Sequence, residues 1–231
     1  LQRRGHRLVI LLDEFDVLVY NEQIPRELFS IFRSMAASYC VSFVVASREG
    51  SIDHLAEDTK TGSAFLNIFG IVYVGPFQED EAKDLIRMPS ARRGVFFTDE
   101  EEKLILKLAG FFPFFLQIAC YHMFKLKRAE VPLEEARQQL EKNFTFEAKP
   151  HFEYMITRMQ NYEQEALRFW IRNRYMEDES ARDSLLEKGI LIQSQGRTRI
   201  FSEVFERLFM SPSPLNQFIA TVGNIIRGRS S

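Results

Sequence analysis

The sequence predicts an α/β chain with a parallel sheet in its first third and helices through most of the remainder. Two short apolar runs, Leu8–Leu12 and Cys40–Ala46, lack polar alternation and are typical of strands buried on both faces. Between them, apolar residues recur at helical spacing from Pro25 to about Tyr39. Strand, helix and strand in this order predict a βαβ unit with parallel strands and a right-handed crossover. The apolar run 71–74 predicts a third strand.

From residue 78 onwards the apolar spacing becomes helical. Helices are predicted over 78–86, 98–109, 114–127 and 132–144, with 145–160 read as linker or helix. Thr98 and Glu101 have the spacing of a capping box. Two further helices, over 163–170 and 182–188, precede strands predicted at 189–192 and 198–201 with a turn between them. Helix, helix and hairpin in this order are typical of a winged helix.

Composition places the chain among ordinary globular proteins. It has 231 residues, of which 45% are hydrophobic and 27% charged, and a net charge of −2, so no global field attracts nucleic acid or acidic membranes. No apolar run approaches the roughly 20 residues of a membrane span, and no signal peptide is visible. Cys40 and Cys120 lie in apolar runs and suit core thiols in a reducing compartment. The expected location is the cytoplasm.

Two adjacent carboxylates, Asp13 and Glu14, follow the first predicted strand directly. Side chains at the carboxyl end of such a strand open into the crevice where α/β sheets bind ligands. An acidic pair is costly there unless a cation or a reacting group uses it. The pattern is that of a Walker B strand, in which Asp13 would help hold Mg²⁺ and Glu14 would polarise the water that attacks the γ-phosphate. The alternative is a core strand whose turn begins with Asp-Glu.

Ser47 and Arg48 follow the second predicted strand and are expected at the same edge of the sheet. There Ser47 can sense a γ-phosphate by a hydrogen bond and Arg48 by its charge. The alternative is a turn that ends the strand and whose arginine pairs with the carboxylates or with solvent.

The succession of motifs resembles a known family. LVILLDEFD at 8–16, FVVASR at 43–48, VGPF at 74–77 and GFFPFFLQ at 110–117, followed by the winged helix, are similar to AAA+-type P-loop ATPases of the STAND class, the signal-transduction ATPases with numerous domains. The resemblance implies ATP and Mg²⁺ as cofactors, Asp13 as the Mg²⁺ aspartate and Glu14 as the catalytic glutamate. It places Ser47 and Arg48 at the sensor 1 position.

The resemblance also assigns a role to Pro113, which matches the proline of the helical lid. That proline packs near the adenine and couples the nucleotide to the winged helix. Locally, Gly110 and Pro113 are equally well explained as the end of one helix and the start of the next.

The implied domains are a partial ATPase core at 1–77, a helical lid at 78–148, a winged helix at 149–210 and a tail at 211–231. The phosphate-binding motif G-x-x-x-x-G-K-[ST] is absent from the 231 residues. In this family it precedes Walker B, so we expect it upstream of Leu1 and expect the present chain to be inactive alone.

The expected function is an ATP-driven switch, in which ATP orders the lid and winged helix against the sheet and hydrolysis releases them. Its partners would be effector or sensor domains, or a second copy of the chain. Two alternatives remain: a winged-helix DNA-binding regulator, and a scaffold that makes protein contacts without nucleotide. Residues 150–231 carry 11 Lys and Arg against 10 Asp and Glu, whereas DNA-binding modules usually have a basic face.

Overall fold

The structure, a computed structural model, describes residues 6–25, 27–47, 68–70, 72, 74–194 and 196–211. The chain divides into two compact units, Leu1–Tyr73 and Val74–Ser231, and each is described by itself. None of the helices in the described ranges is long and apolar enough to cross a membrane.

The first unit contains the predicted βαβ arrangement. Strand β1 (Leu8–Leu12) is followed by a short helix α1 (Phe15–Tyr20), helix α2 (Glu27–Ser38) and strand β2 (Val41–Val45). The two strands pair in parallel, with Leu8 opposite Val41 and Leu12 opposite Val45. Parallel pairing is therefore confirmed, whereas the one-and-a-half-turn helix α1 was not predicted.

Burial of the strands on both faces was a wrong prediction. Leu11 is 73% exposed and Val44 is 56% exposed, while Leu12 and Val45, on the other face of the pair, pack against the core. That core consists of Phe15, Val19 and Phe29, which come from the two helices. The described helices thus cover one face of the sheet and leave the alternate residues open, as the two-residue period of a strand requires.

The third predicted strand is not found at the residues that can be inspected. Val72 and Val74 lie outside regular structure and are almost fully exposed, Val74 at 94%. Ile71 and Tyr73 lie outside the described residues.

The described part of the second unit is helical and carries an antiparallel hairpin. Its helices are α3 (Glu79–Ala91), α4 (Asp99–Ala109), α5 (Pro113–Arg128), α6 (Leu133–Arg158), α7 (Asn161–Asn173), α8 (Glu179–Glu187) and α9 (Glu203–Met210). Strands β3 (Leu191–Ser194) and β4 (Arg197–Ile200) form the hairpin between α8 and α9. The capping box of α4 is confirmed, since Thr98 Oγ1 accepts from the Glu101 N–H and the Glu101 carboxylate accepts from the Thr98 N–H.

The predicted end of α3 before Pro89 is wrong, and residues 145–160, which the sequence left as linker or helix, are helical as far as Arg158. Helix α3 continues past Pro89 to Ala91, and α6 continues past Phe144 and Pro150 to Arg158. In α6 every fourth residue from 136 to 156 is buried, which gives an unbroken buried stripe at 136, 140, 144, 148, 152 and 156. Pro150 removes the hydrogen bond to the carbonyl of residue 146, which lies on the exposed side of the helix. The stabilisation from the continuous buried stripe outweighs the loss of that hydrogen bond. The predicted boundary between the lid and the winged helix, at 148 and 149, therefore falls inside α6.

A buried carboxylate fixes α7 to α8. Glu163 is fully buried and accepts hydrogen bonds from Lys188 Nζ at 2.7 Å, from the Gln160 N–H at 2.8 Å and from the Ser184 hydroxyl. Burial by itself raises the pKa of Glu163, but these donors together hold its pKa below the ordinary value. The charged form is therefore the one that the fold stabilises.

Candidate active site

The acidic pair forms the connection between β1 and α1. Asp13 and Glu14 are exposed, and one Asp13 carboxylate oxygen accepts a hydrogen bond from the Glu14 N–H at 2.8 Å. Glu14 has φ 49° and ψ 42°, the left-handed conformation, which costs a residue other than glycine about 1–2 kcal/mol. Its carboxylate does not cap the helix that it precedes. The turn therefore holds a strained glutamate whose carbonyl accepts from the Val17 N–H at 2.9 Å but whose carboxylate does not help to start the helix.

The end of β2 fixes this turn from the other side. The Ala46 N–H donates to the Leu12 carbonyl at 2.8 Å, and the Ala46 carbonyl accepts from the Phe15 N–H at 2.9 Å. The Ala46 backbone is thus bonded to the residues on either side of the acidic pair. Ser47, the next residue, follows at the same edge of the sheet and is partly buried. Arg48 lies outside the described residues.

The helix side of the turn is anchored in the small core. Phe15 is almost completely buried and meets the Phe29 ring edge-on, with 5.9 Å between ring centroids. Asp16, which was given no role from the sequence, is also buried in the first turn of α1, where the helix dipole favours a negative charge. The sequence signal for Asp16 is its place in a run of three carboxylates within four residues, at 13, 14 and 16.

The residues at this edge suit a magnesium ion that is shared with a phosphate. Mg²⁺ is usually held by one or two carboxylates together with phosphate oxygens and water, and Asp13 offers an exposed carboxylate. Within the described ranges, no group of three or more His, Cys, Asp or Glu side chains could hold a metal ion. Mg²⁺ commonly keeps several waters, so a cation at Asp13 could complete its shell with water and with phosphate oxygens.

Pro113 lies in the second unit, where it is the first residue of α5. Gly110 ends α4 with φ 62°, and Pro113 begins α5, as the local sequence pattern indicated. Between them, Phe112 packs edge-on against Phe201 of the hairpin end, with 4.8 Å between ring centroids. Pro113 itself is partly buried.

The hairpin arginines are placed differently from one another. Arg197 is exposed, whereas Arg199 is partly buried, and burial lowers the pKa of its guanidinium while nearby Glu203 and Glu79 act to raise it. Helix α8 exposes side chains of both signs, at Glu179, Arg182, Asp183 and Glu187. In the described part of the chain this helix and hairpin do not form a basic face, which DNA binding usually requires.

Comparison with known proteins identifies the family. A family model described as Novel STAND NTPase 2 matches residues 1–174. The chain belongs to this family. A search of curated proteins finds no match. Membership of an NTPase family supports a nucleotide-binding P-loop protein, and nucleotide binding in such proteins usually involves a metal ion.

A solved structure supports the fold assignment. The Walker-type ATPase of Pyrococcus abyssi aligns with a TM-score of 0.53 and 12% sequence identity. The alignment covers 89% of this chain and 63% of that one, so the chain spans less than two thirds of that protein. At this identity the likeness concerns the mixed α/β fold alone.

Proposed function

We propose that the chain supplies the Walker B, sensor 1, lid and winged-helix parts of a STAND NTPase that works as an ATP-driven switch. The observation that carries the proposal is the turn at Asp13 and Glu14. A strained, exposed glutamate stands at the carboxyl end of a parallel strand, with Ser47 at the same edge. Strained backbone of this kind clusters at functional sites, because a fold retains it only where the surrounding bonds over-determine it.

In this proposal each residue at the sheet edge has a separate task. Asp13 holds Mg²⁺, directly or through water, and the ion when bound neutralises charge on the phosphates. Glu14 accepts a hydrogen bond from the attacking water and so orients it towards the γ-phosphate. Ser47 donates a hydrogen bond to the γ-phosphate and Arg48 adds a positive charge, so both respond to its presence.

The remaining parts of the switch are carried by the second unit. Pro113 lies near the adenine and links the nucleotide to the helices that follow, and α7, α8 and the hairpin form the winged helix. ATP binding orders this unit and hydrolysis releases it, so that effector or sensor domains read the state. The phosphate-cradling loop G-x-x-x-x-G-K-[ST] has to come from outside these 231 residues.

The test is ATP hydrolysis by the complete protein with Glu14→Gln. The variant should bind ATP as the wild type does but turn it over at least about a hundredfold more slowly, because a neutral amide polarises the attacking water far less than a carboxylate does. Glu22→Gln, an exposed glutamate just after α1, is the matched control and should leave turnover unchanged. Unchanged turnover in Glu14→Gln would remove the catalytic assignment.

A further inference from the structure

The helices predicted as a lid and those predicted as a winged helix share one continuous element. Helix α6 runs through both predicted domains, and its buried stripe passes the predicted boundary at 148 and 149 without a break. Phe144 lies on one side of that boundary and Phe152 on the other, and their rings are 6.0 Å apart. No loop is available there about which the two parts could turn.

The two parts also share one core. Phe115 of α5 lies 4.5 Å from the Phe152 ring and 6.0 Å from Phe201, which follows β4. Phe152 in turn lies 5.6 Å from Phe205 of α9. All four rings are buried. Separating α5 from the hairpin and α9 would expose these rings to water, which is unfavourable because the burial of large apolar side chains stabilises the fold.

Backbones of the two parts meet closely where Gly110 faces Phe201. A Cβ on Gly110 would lie 2.7 Å from the Phe201 carbonyl oxygen, so the loop before α5 runs directly against the residue that ends the hairpin. Contacts of this closeness leave no room for water or for sliding.

Ion pairs complete the attachment of α9. Lys107 of α4 lies 3.0 Å from Glu203, and Arg207 lies 2.6 Å from Glu141 of α6. These pairs are half-exposed and contribute little energy each, but they join α9 to both α4 and α6.

We infer that residues 78–210 form a single cooperative body, in which the lid and the helix–helix–hairpin segment fold together and do not separate. A nucleotide switch built on this chain would have to move that body as a whole. The consequence for the switch rests on the proposed function, whereas the cooperativity is a property of the chain itself and can be tested without nucleotide.

The experiment is hydrogen exchange on the whole chain with two matched substitutions. Ile105→Val in α4 and Ile200→Val in β4 each delete one methyl group from a buried isoleucine, one on each side of the predicted boundary. In a single body, each variant speeds exchange of the most protected amides in both α5 and α9 by the same factor, roughly 2- to 12-fold. Lys142→Gln, an exposed change on α6, should leave both sets unaltered.

If each isoleucine variant affects only the helices on its own side, the inference is wrong. A second measurement needs no variant: as urea is added, the most protected amides of α5 and α9 should converge on one free energy of opening. Two separate values would equally overturn the inference. Because neither measurement contains ATP, failure of the proposed ATPase would not be mistaken for failure of this inference.

Discussion

Gly110 offers a sharp test of the packing between the lid helices and the hairpin. The residue ends α4 with φ 62° and ψ −137°, a conformation that side chains other than hydrogen rarely permit. In Gly110→Ala the new Cβ would also lie 2.7 Å from the Phe201 carbonyl oxygen and 2.9 Å from Phe201 Cβ. Because part of this clash is with backbone, a side-chain rotation cannot relieve it.

The expected loss of stability has two parts. A strained backbone conformation costs of the order of 1–3 kcal/mol, and overpacking a filled core costs typically about 1–3 kcal/mol. Together they predict a loss of about 2–6 kcal/mol for Gly110→Ala. Gly94→Ala is the matched control, because Gly94 has φ 72° but a Cβ there would meet no atom within 4 Å. It should lose only the conformational part, about 1–2 kcal/mol.

The assay is urea unfolding followed by far-UV circular dichroism. With a urea m-value of about 2 kcal/mol per M, the midpoint should fall by about 1–3 M for Gly110→Ala and by about 0.5–1 M for Gly94→Ala. Equal losses in the two variants would show that the close approach of Gly110 to Phe201 does not exist in solution.

Three further predictions concern single side chains. Glu14→Gly should slow hydrogen exchange of β1 amides about fivefold, because glycine adopts the left-handed conformation without strain. Glu14→Ala keeps a Cβ and should not slow exchange. Slower exchange in both variants would mean that backbone strain is not the cause. Glu163→Gln should destabilise the protein by about 1–3 kcal/mol at neutral pH. The folded-state pKa of Glu163 is lowered, so the stability difference between wild type and Glu163→Gln should be constant above about pH 4.5 and shrink as the pH falls below that value. Urea titrations in which the stability difference does not shrink at low pH would contradict the lowered pKa. Burial raises the pKa of the Cys120 thiol to about 12, so little thiolate is present at pH ~8 and a disulfide reagent should label Cys120 much more slowly than an ordinary exposed thiol. Rapid labelling that persists in Cys40→Ser would contradict the raised pKa.

The local sequence patterns predicted the strands and helices better than they predicted which faces of those elements are buried. The apolar run Leu8–Leu12 and the helical spacing before the second run were sufficient for the parallel pair, because these patterns depend on the chain's own periodicity. They could not show that Leu11 and Val44 stay exposed, since the burial of a strand face depends on which elements cover it.

The prolines illustrate the same limit. The rule that helices end at proline predicted the end of α3 at Pro89, but α3 continues to Ala91. For residues 145–160 the sequence left linker and helix open, and in α6 the buried stripe continues through Pro150 to Ile156. Only tertiary packing supplies that information. For the candidate site, the sequence placed Asp13, Glu14 and Ser47 correctly at one edge of the sheet, but the left-handed conformation of Glu14 could not be foreseen.

The most direct test of the proposed nucleotide site is the Mg²⁺ dependence of ATP binding in the complete protein, compared between wild type and Asp13→Asn. Wild type should bind ATP more tightly with Mg²⁺ than with a chelator, and Asp13→Asn should lose most of this difference. Asp16→Asn cannot serve as the control, because Asp16 is buried; Glu22→Gln, on the exposed chain after α1, should behave as wild type. If ATP affinity is independent of Mg²⁺, or if Asp13→Asn keeps the full Mg²⁺ effect, then the turn after β1 is not the metal site of an ATPase.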